Sequence, residues 1–531
     1  MNEQWNQALS QIHDKHIAEA ASPPPRRWPY WVGAVAAVLA LAIGWSILWQ
    51  GLSQTPAEPG PAILQTQPTI PGFTSPFVTD PTPPSITPPL VTEPTPPSVT
   101  SPFGTEPTSP IVTVPQIAVM QLAQPVYPQI SYVPNRTDYK NYIDYYQALS
   151  EHNQAWKNHY SQPQGYADSL NDFFHESIRE FLSGEGNQAY SPVNVYLALA
   201  MLAQTTGGNS QQQILDLLRA DSMEALRTQA GHVWNAQYRD DGVTKLLLAN
   251  SVWLDGAHGF NADTVQTLAD SFYASVFGGD LGSEEMNQQL RQWLNEQTGN
   301  LLTDQTQNLK LDPNSVFALA STIYFKANWI AQFGEKNTAY ATFRAPGGDV
   351  TVRFMNSTRS TQYYWGPDFT AVRLTLEGGN TMWLILPDEG KSVQDVLSSD
   401  AYLTMTRDKH GWEQQAYVQV NLSLPKFDIS SNTNLIPGIK KLGVTDIFSP
   451  STADMTPMTD ASGVYVGKVE HAVRLSADET GVLGTAYTVI DAPENGPPLK
   501  DEVDFVLDRP FLFLVTSQDS IPLFTGIVAN P

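Results

Sequence analysis

DETGVLGTAYTVIDAPENGPP, residues 478–498, changes character halfway along. Val482, Gly484, Ala486 and Thr488 are compact and share one parity, while Leu483, Thr485, Tyr487 and Val489 fill the other. Successive side chains of a strand point to opposite faces, so one face of this run can enter a packed interior while Tyr487 stays outside. The second half cannot be a central strand, because Pro493, Pro497 and Pro498 lack ladder donors. The stretch reads as a loop with a latent strand in it. It lies between a strand-like segment at 464–475 and a strongly apolar run at 505–528.

The flanks make the reading specific. E-T-G followed by small residues, then RPFLFLV (509–515) and FTGIVANP (524–531), resembles the C-terminus of a serpin. Eight further family-like pieces lie upstream in the family's order. They are AYSPVNVYLALAMLAQTTGGNSQQQIL (189–215), LLLANSVWLD (246–255), LRQWLNEQTGNLLTD (290–304), ASTIYFKANW (320–329), VNLSLPKFDISS (420–431), LGVTDIF (442–448), ADMTPM (453–458) and KVEHAV (468–473). The resemblance spans residues 166–531 and implies an α+β serpin-like fold, with helices packed on large, mainly antiparallel β-sheets and an exposed reactive loop. Periodicity agrees: amphipathic helices at 167–182, 192–204, 210–218, 261–273 and 286–298 precede strand-like runs at 316–324, 370–375, 381–386, 416–424 and 511–515.

Composition narrows function. Of 531 residues 41% are apolar, enough for a large core, and there is no cysteine, so neither a disulfide framework nor a thiolate metal site is available. A net charge of −24 opposes nucleic-acid or polyanion binding. No G-x-S-x-G elbow, H-E-x-x-H pair, EF-hand loop or phosphate-binding glycine pattern occurs. The chain is expected to be no enzyme and to carry no metal or cofactor.

The N-terminal third reads differently. Residues 28–49 (WPYWVGAVAAVLALAIGWSILW) are uncharged, and 22 residues at ~1.5 Å each span a ~30 Å bilayer core. Trp28, Tyr30 and Trp31 at one end and Trp45 and Trp49 at the other resemble interfacial belts. Arg26 and Arg27 precede the run and no Lys or Arg follows until Arg136, which puts the N-terminus in the cytoplasm. Residues 1–27 are then a cytoplasmic tail, 28–50 a signal anchor, and 51–136 a disordered stalk rich in Pro, Thr and Ser. Within that stalk TSPFVTDPTPPSIT (74–87) recurs as TSPFGTEPTSPIVT (100–113). Polyproline II at ~3.1 Å per residue lets it reach ~250 Å. Residues 137–165 are expected to form an extra helix packed on the domain, and 166–531 a serpin domain outside the cell, a monomer held to the membrane through 28–50. The anchor-plus-stalk layout without cysteine suggests a bacterial source.

The resemblance implies a suicide-substrate inhibitor. A target protease, serine or cysteine class, cuts the loop, and the loop then enters the main sheet as a new strand. By resemblance the hinge is Glu479, Thr480, Gly481 and Val482, with Gly484, Ala486 and Thr488 as further inward positions; none of the inward residues carries a charge. Family spacing places the reactive bond at Asn495–Gly496, with Glu494–Asn495 next; no Arg or Lys lies there, which disfavours a trypsin-like target. Lys426 and Glu479 match an ion pair at the insertion point and Trp329 the aromatic beneath it. Ser191, Asn194, Ser321 and His471 match a polar cluster under the central strands, with Asn194 and Ser321 exchanged relative to the usual order. Val482 stands where inhibitors carry a small hydroxyl residue, and Leu483 and Tyr487 leave the alanine-rich pattern. The alternative is therefore a non-inhibitory serpin serving as a binding or carrier module on the cell surface.

Overall fold

The computed structural model describes residues 111–113, 119–128, 132–242, 244–300, 302–482 and 501–531. Among them no helix is long and apolar enough to cross a membrane; the expected span at 28–49 lies outside the described residues.

Two large sheets carry the body. One runs, in spatial order, Phe427–Asn434, Glu470–Ala477, Gly481–Val482, Phe317–Asn328, Lys245–Asp255, Ala274–Gly279 and Met120–Ala123, with Arg239–Asp240 paired on Lys245–Asp255. The other runs Glu502–Val506, Gln415–Pro425, Gly348–Trp365, Phe369–Thr375, Thr381–Pro387, Phe511–Thr516, Pro522–Val528 and Gln188–Tyr190, with Thr338–Ala345 hairpinned onto Gly348–Trp365. Pairing is antiparallel except between 245–255 and 274–279 and between 415–425 and 502–506. The α+β expectation holds.

The helix Pro192–Gln204 sits between the sheets. Its sequence, PVNVYLALAMLAQ, opens with proline at the first turn and is apolar all round, as a helix with no solvent face must be. By contrast Asn171–Phe181 buries only one stripe, Phe173, Phe174, Ser177 and Ile178. The FLFLVT and PLFTGIV strands are buried on both faces, which explains their unbroken apolar run. The same cause hid the Lys245–Asp255 strand among the early helices: LLLANSVWL has no usable period. The helix Met223–Gln237 escaped because its buried stripe, Leu226, Ala230, Val233 and Trp234, alternates with weakly contrasting Ala, Gly and Thr. The long strand Gly348–Trp365 is rich in Ser, Thr, Asn and Gln and shows little apolar alternation, yet it pairs along its length with three different partners.

Part of the expected stalk, 51–136, is built into the body. Met120–Ala123 is a strand on the edge of the first sheet, Pro125 is buried, and Tyr127 stacks on Tyr238 at 5.5 Å and Trp234 at 5.9 Å. Proline does not prevent this, because an edge strand has one side free of ladder bonds and Pro125 falls just past its end. The extra helix is Tyr142–Tyr160, shorter at both ends than the expected 137–165, with Asn141 capping it through Asp144 N–H at 2.9 Å.

Candidate functional site: the loop base and the gap below it

The strand Glu470–Ala477 ends in a tight reversal. Asp478 Oδ1 accepts from Thr480 N–H at 2.8 Å and Gly481 N–H at 3.2 Å, and Asp478 N–H donates to Gly481 O at 3.1 Å. This aspartate-led turn brings Gly481–Val482 back between two strands: Val482 lies across from Ala477 on one side and Ala327 on the other, and Gly481 across from Asn328. Val482 is 0% exposed. Its β-branch suits a strand, so the valine that sequence reading took as an obstacle is already seated.

Gly481 is fixed by crowding rather than by a positive φ. A Cβ there would run into the Ala327 carbonyl and come within 2.6 Å of Asn328 Cα, both backbone atoms that cannot turn aside. Sequence reading gave it hinge freedom; the structure adds close approach of two backbones.

Glu479 locks the turn. Its carboxylate accepts from Lys426 Nζ at 2.6 Å and Thr338 Oγ1 at 2.9 Å, with Arg353 at 3.7 Å. Burial would raise this carboxyl; the Lys426 hydrogen bond, its own backbone amide and Thr338 outweigh it and hold it below the usual glutamate value. Trp329 Nε1–H donates to Asp478 O at 2.7 Å, Trp329 N–H to Thr480 O at 3.0 Å, and Phe333 N–H to Glu479 O at 3.0 Å. The predicted residues Lys426, Glu479, Thr480, Gly481, Val482 and Trp329 thus meet in one place. Arg353, Thr338 and Asp478 were missed. Only Asp478 left a sequence signal, an Asp two residues before a Thr-Gly turn.

Below Val482, among the described residues, no ladder joins Phe317–Asn328 to Glu470–Ala477 directly. A cavity of about 180 Å³ lies there, lined by Asn194, Leu199, Phe317, Ser321, Val469 and His471, with Leu290 and Leu294 of the helix Glu284–Gln297. The expected polar cluster falls into two pairs. Ser321 Oγ donates to Asn194 Oδ1 at 2.6 Å while Asn194 Nδ2 donates to Ser321 O at 3.3 Å. His471 Nε2 accepts from Ser191 N–H at 3.0 Å, and Ser191 Oγ donates to Leu523 O at 2.7 Å. Burial pushes the His471 imidazole down to about 4, so it is neutral at pH 7 with its proton on Nδ1.

The reciprocal Asn194–Ser321 pair carries a test. Asn194→Ser with Ser321→Asn keeps one amide and one hydroxyl at the same junction, so thermal melts should show the double variant losing about 1 kcal/mol less than the sum of the singles. Strictly additive losses contradict an exchangeable pair.

Gly484, Ala486, Thr488, Glu494, Asn495 and Gly496 lie outside the described residues. Among those described, no group of His, Asp and Glu side chains is arranged to hold a metal. What the geometry offers is mechanical: two strand edges, a zipped first pair of residues, and an apolar space continuing along the same line.

A family model described as "Serpin (serine protease inhibitor)" matches residues 168–531. The human (Homo sapiens) leukocyte elastase inhibitor is 27% identical over 359 residues, 65% of this chain and 93% of that protein. Serpin-ZX of Arabidopsis thaliana is 28% identical over 368 residues, 66% and 93% of the two chains. Among solved structures, the thermophilic serpin tengpin in its native state aligns with a TM-score of 0.63 at 24% identity, covering 70% of this chain and 95% of tengpin. A thyroxine-binding globulin in complex with thyroxine aligns at 0.59 and 21% identity, over 68% and 99%.

Proposed function

The chain belongs to the serpin family, and from that premise we propose that it is a serine-type protease inhibitor acting as a suicide substrate. The observation that carries the reading is the Gly481–Val482 pair, hydrogen-bonded into the sheet above an open apolar gap. In this mechanism the protease's nucleophile attacks the carbonyl carbon of the residue before the cut bond. The amine of the following residue leaves, and an acyl-enzyme remains. Zipping then proceeds down from Val482, Gly484, Ala486 and Thr488 enter on the inward parity, and the acyl-enzyme is carried to the far end of the sheet before water reaches it. Uncharged inward side chains favour this, since each buried charge would cost several kcal/mol.

The bond assigned to the cut is Asn495–Gly496, with Glu494–Asn495 as the second choice. The chain is further proposed to sit on a membrane through residues 28–50, N-terminus inside and the serpin domain outside. The supports are the uncharged apolar run, its aromatic flanks, Arg26 and Arg27, and the Pro/Thr-rich spacer that follows.

The test is covalent trapping. The full chain in detergent is mixed with subtilisin-, chymotrypsin- and elastase-like proteases and run on a denaturing gel. A band at the summed mass, stable to boiling, is expected, with a released peptide beginning at Gly496. Cleavage within 483–500 that leaves the protease fully active overturns the inhibitory reading and favours a carrier module.

A further inference from the structure

The family match begins at residue 168, yet the helix Tyr142–Tyr160 before it docks on the end of the sheet that holds the loop base. The register fixes this placement. Lys245 lies across from Lys326 and Gly481 across from Asn328, so the hairpin carrying Arg239 sits at the same end as Gly481.

Arg239 is 7% exposed. Its guanidinium donates to Gly378 O at 2.6 Å, lies 3.6 Å from Asp241, and is roofed by Trp156 and Tyr160, whose ring centres are 5.2 and 4.9 Å away. Tyr160 in turn donates to Tyr238 O at 3.0 Å. A planar fork with an aromatic face above and a carbonyl at its edge is a task for arginine, which lysine cannot perform. Gly378 has φ +74° and no room for a Cβ, which would strike Thr244 and the Arg239 guanidinium. Its neighbour Glu377 accepts from Asn328 Nδ2 at 2.8 Å, and Ile330 N–H donates to Thr375 O at 3.0 Å on the approach to the same turn. Asn328 is the residue against which Gly481 is registered.

We propose that Arg239, roofed by the Tyr142–Tyr160 helix, is a positioning residue for loop insertion: it fixes the 377–379 turn that holds Asn328 against the loop base. The proposal rests on the insertion mechanism, because a slip of one residue at the first zipped pair would turn every inward side chain outward. The Tyr142–Tyr160 helix is then part of the inhibitory machinery and no mere spacer ahead of it.

Hydrogen exchange on the intact full chain tests this without needing a protease. Arg239→Gln and Trp156→Ala should each speed exchange at 326–330 and 478–482 by about tenfold, while 427–434 and 511–516 keep wild-type rates. Trp156→Phe, which preserves the roof, should stay near wild type. The same variants, mixed with a protease that the wild type traps, should shift product from complex to cleaved inhibitor. Loop-base exchange at the wild-type rate, or acceleration spread equally over all strands, overturns the proposal. A wild type that never traps protease while the local exchange shift occurs sinks the inhibitory reading and leaves the positioning link standing.

Discussion

Gly481→Ala is expected to release the loop base from the sheet. The added methyl meets the Ala327 carbonyl and Asn328 Cα, backbone atoms of a strand that is itself paired on its other side with Lys245–Asp255. The strand cannot retreat, so Gly481 must, and Val482 leaves its buried seat with it. Losing that burial, together with three ladder pairings, costs about 2–3 kcal/mol. Carried into the insertion barrier, ~2 kcal/mol slows zipping roughly 30-fold. Because insertion competes with hydrolysis of the acyl-enzyme, most encounters should then end in cleaved inhibitor and free protease. The measurement is the ratio of boiling-stable complex to cleaved chain, with exchange at 478–482 as the structural readout. Equal ratios for variant and wild type would mean that the paired hinge plays no part in trapping.

That glycine illustrates what the sequence carries and what it withholds. E-T-G ahead of a run of small residues is enough to single out this turn, and Val482, assigned to the inward parity, is buried. Lys426, Glu479 and Trp329 were also found, because the motifs around them stand in family order. What could not be read was anything set by approach in space. Arg353 and Thr338 reach Glu479 from the second large sheet, 126 and 141 residues away in the chain (479 − 353 and 479 − 338), and no local pattern ties them to it. The cavity beneath Val482 is an absence of pairing between two strands, which sequence periodicity does not encode. Composition misled at the end of the stalk. Proline and threonine density argues against a core, but four residues, MQLA, suffice to cap an exposed sheet edge, and one tyrosine suffices to pin the segment on Trp234.

Acid should weaken the lower half of the same sheet, and His471 decides the window. Burial lowers its imidazole from 6.5 to about 4 in the folded protein. Between those values the unfolded chain binds the extra proton and the native state does not, so stability falls as pH drops through 6.5 and the loss is complete near 4, at about 3 kcal/mol. Glu479 acts lower: its folded value lies below 4.5, so its contribution is lost only as pH falls beneath that. Burial also lowers His159 and His175, which add to the acid loss from other parts of the body. A variant separates them. His471→Gln leaves a neutral acceptor for Ser191 N–H, so urea unfolding of wild type and variant should converge by about 2 kcal/mol between pH 7 and pH 4.5, in the variant's favour. Protection of the amides at 470–477, relative to the intrinsic exchange rate at each pH, should fall over the same range in wild type alone. Protonated His471 must give up the Ser191 amide, which frees the strand that borders the gap on the side opposite Phe317–Asn328. The gap into which the loop is proposed to pass should therefore open more readily in acid. A constant difference in stability between the two proteins across that range would show that His471 takes up its proton at the same pH folded as unfolded, so that burial does not lower it.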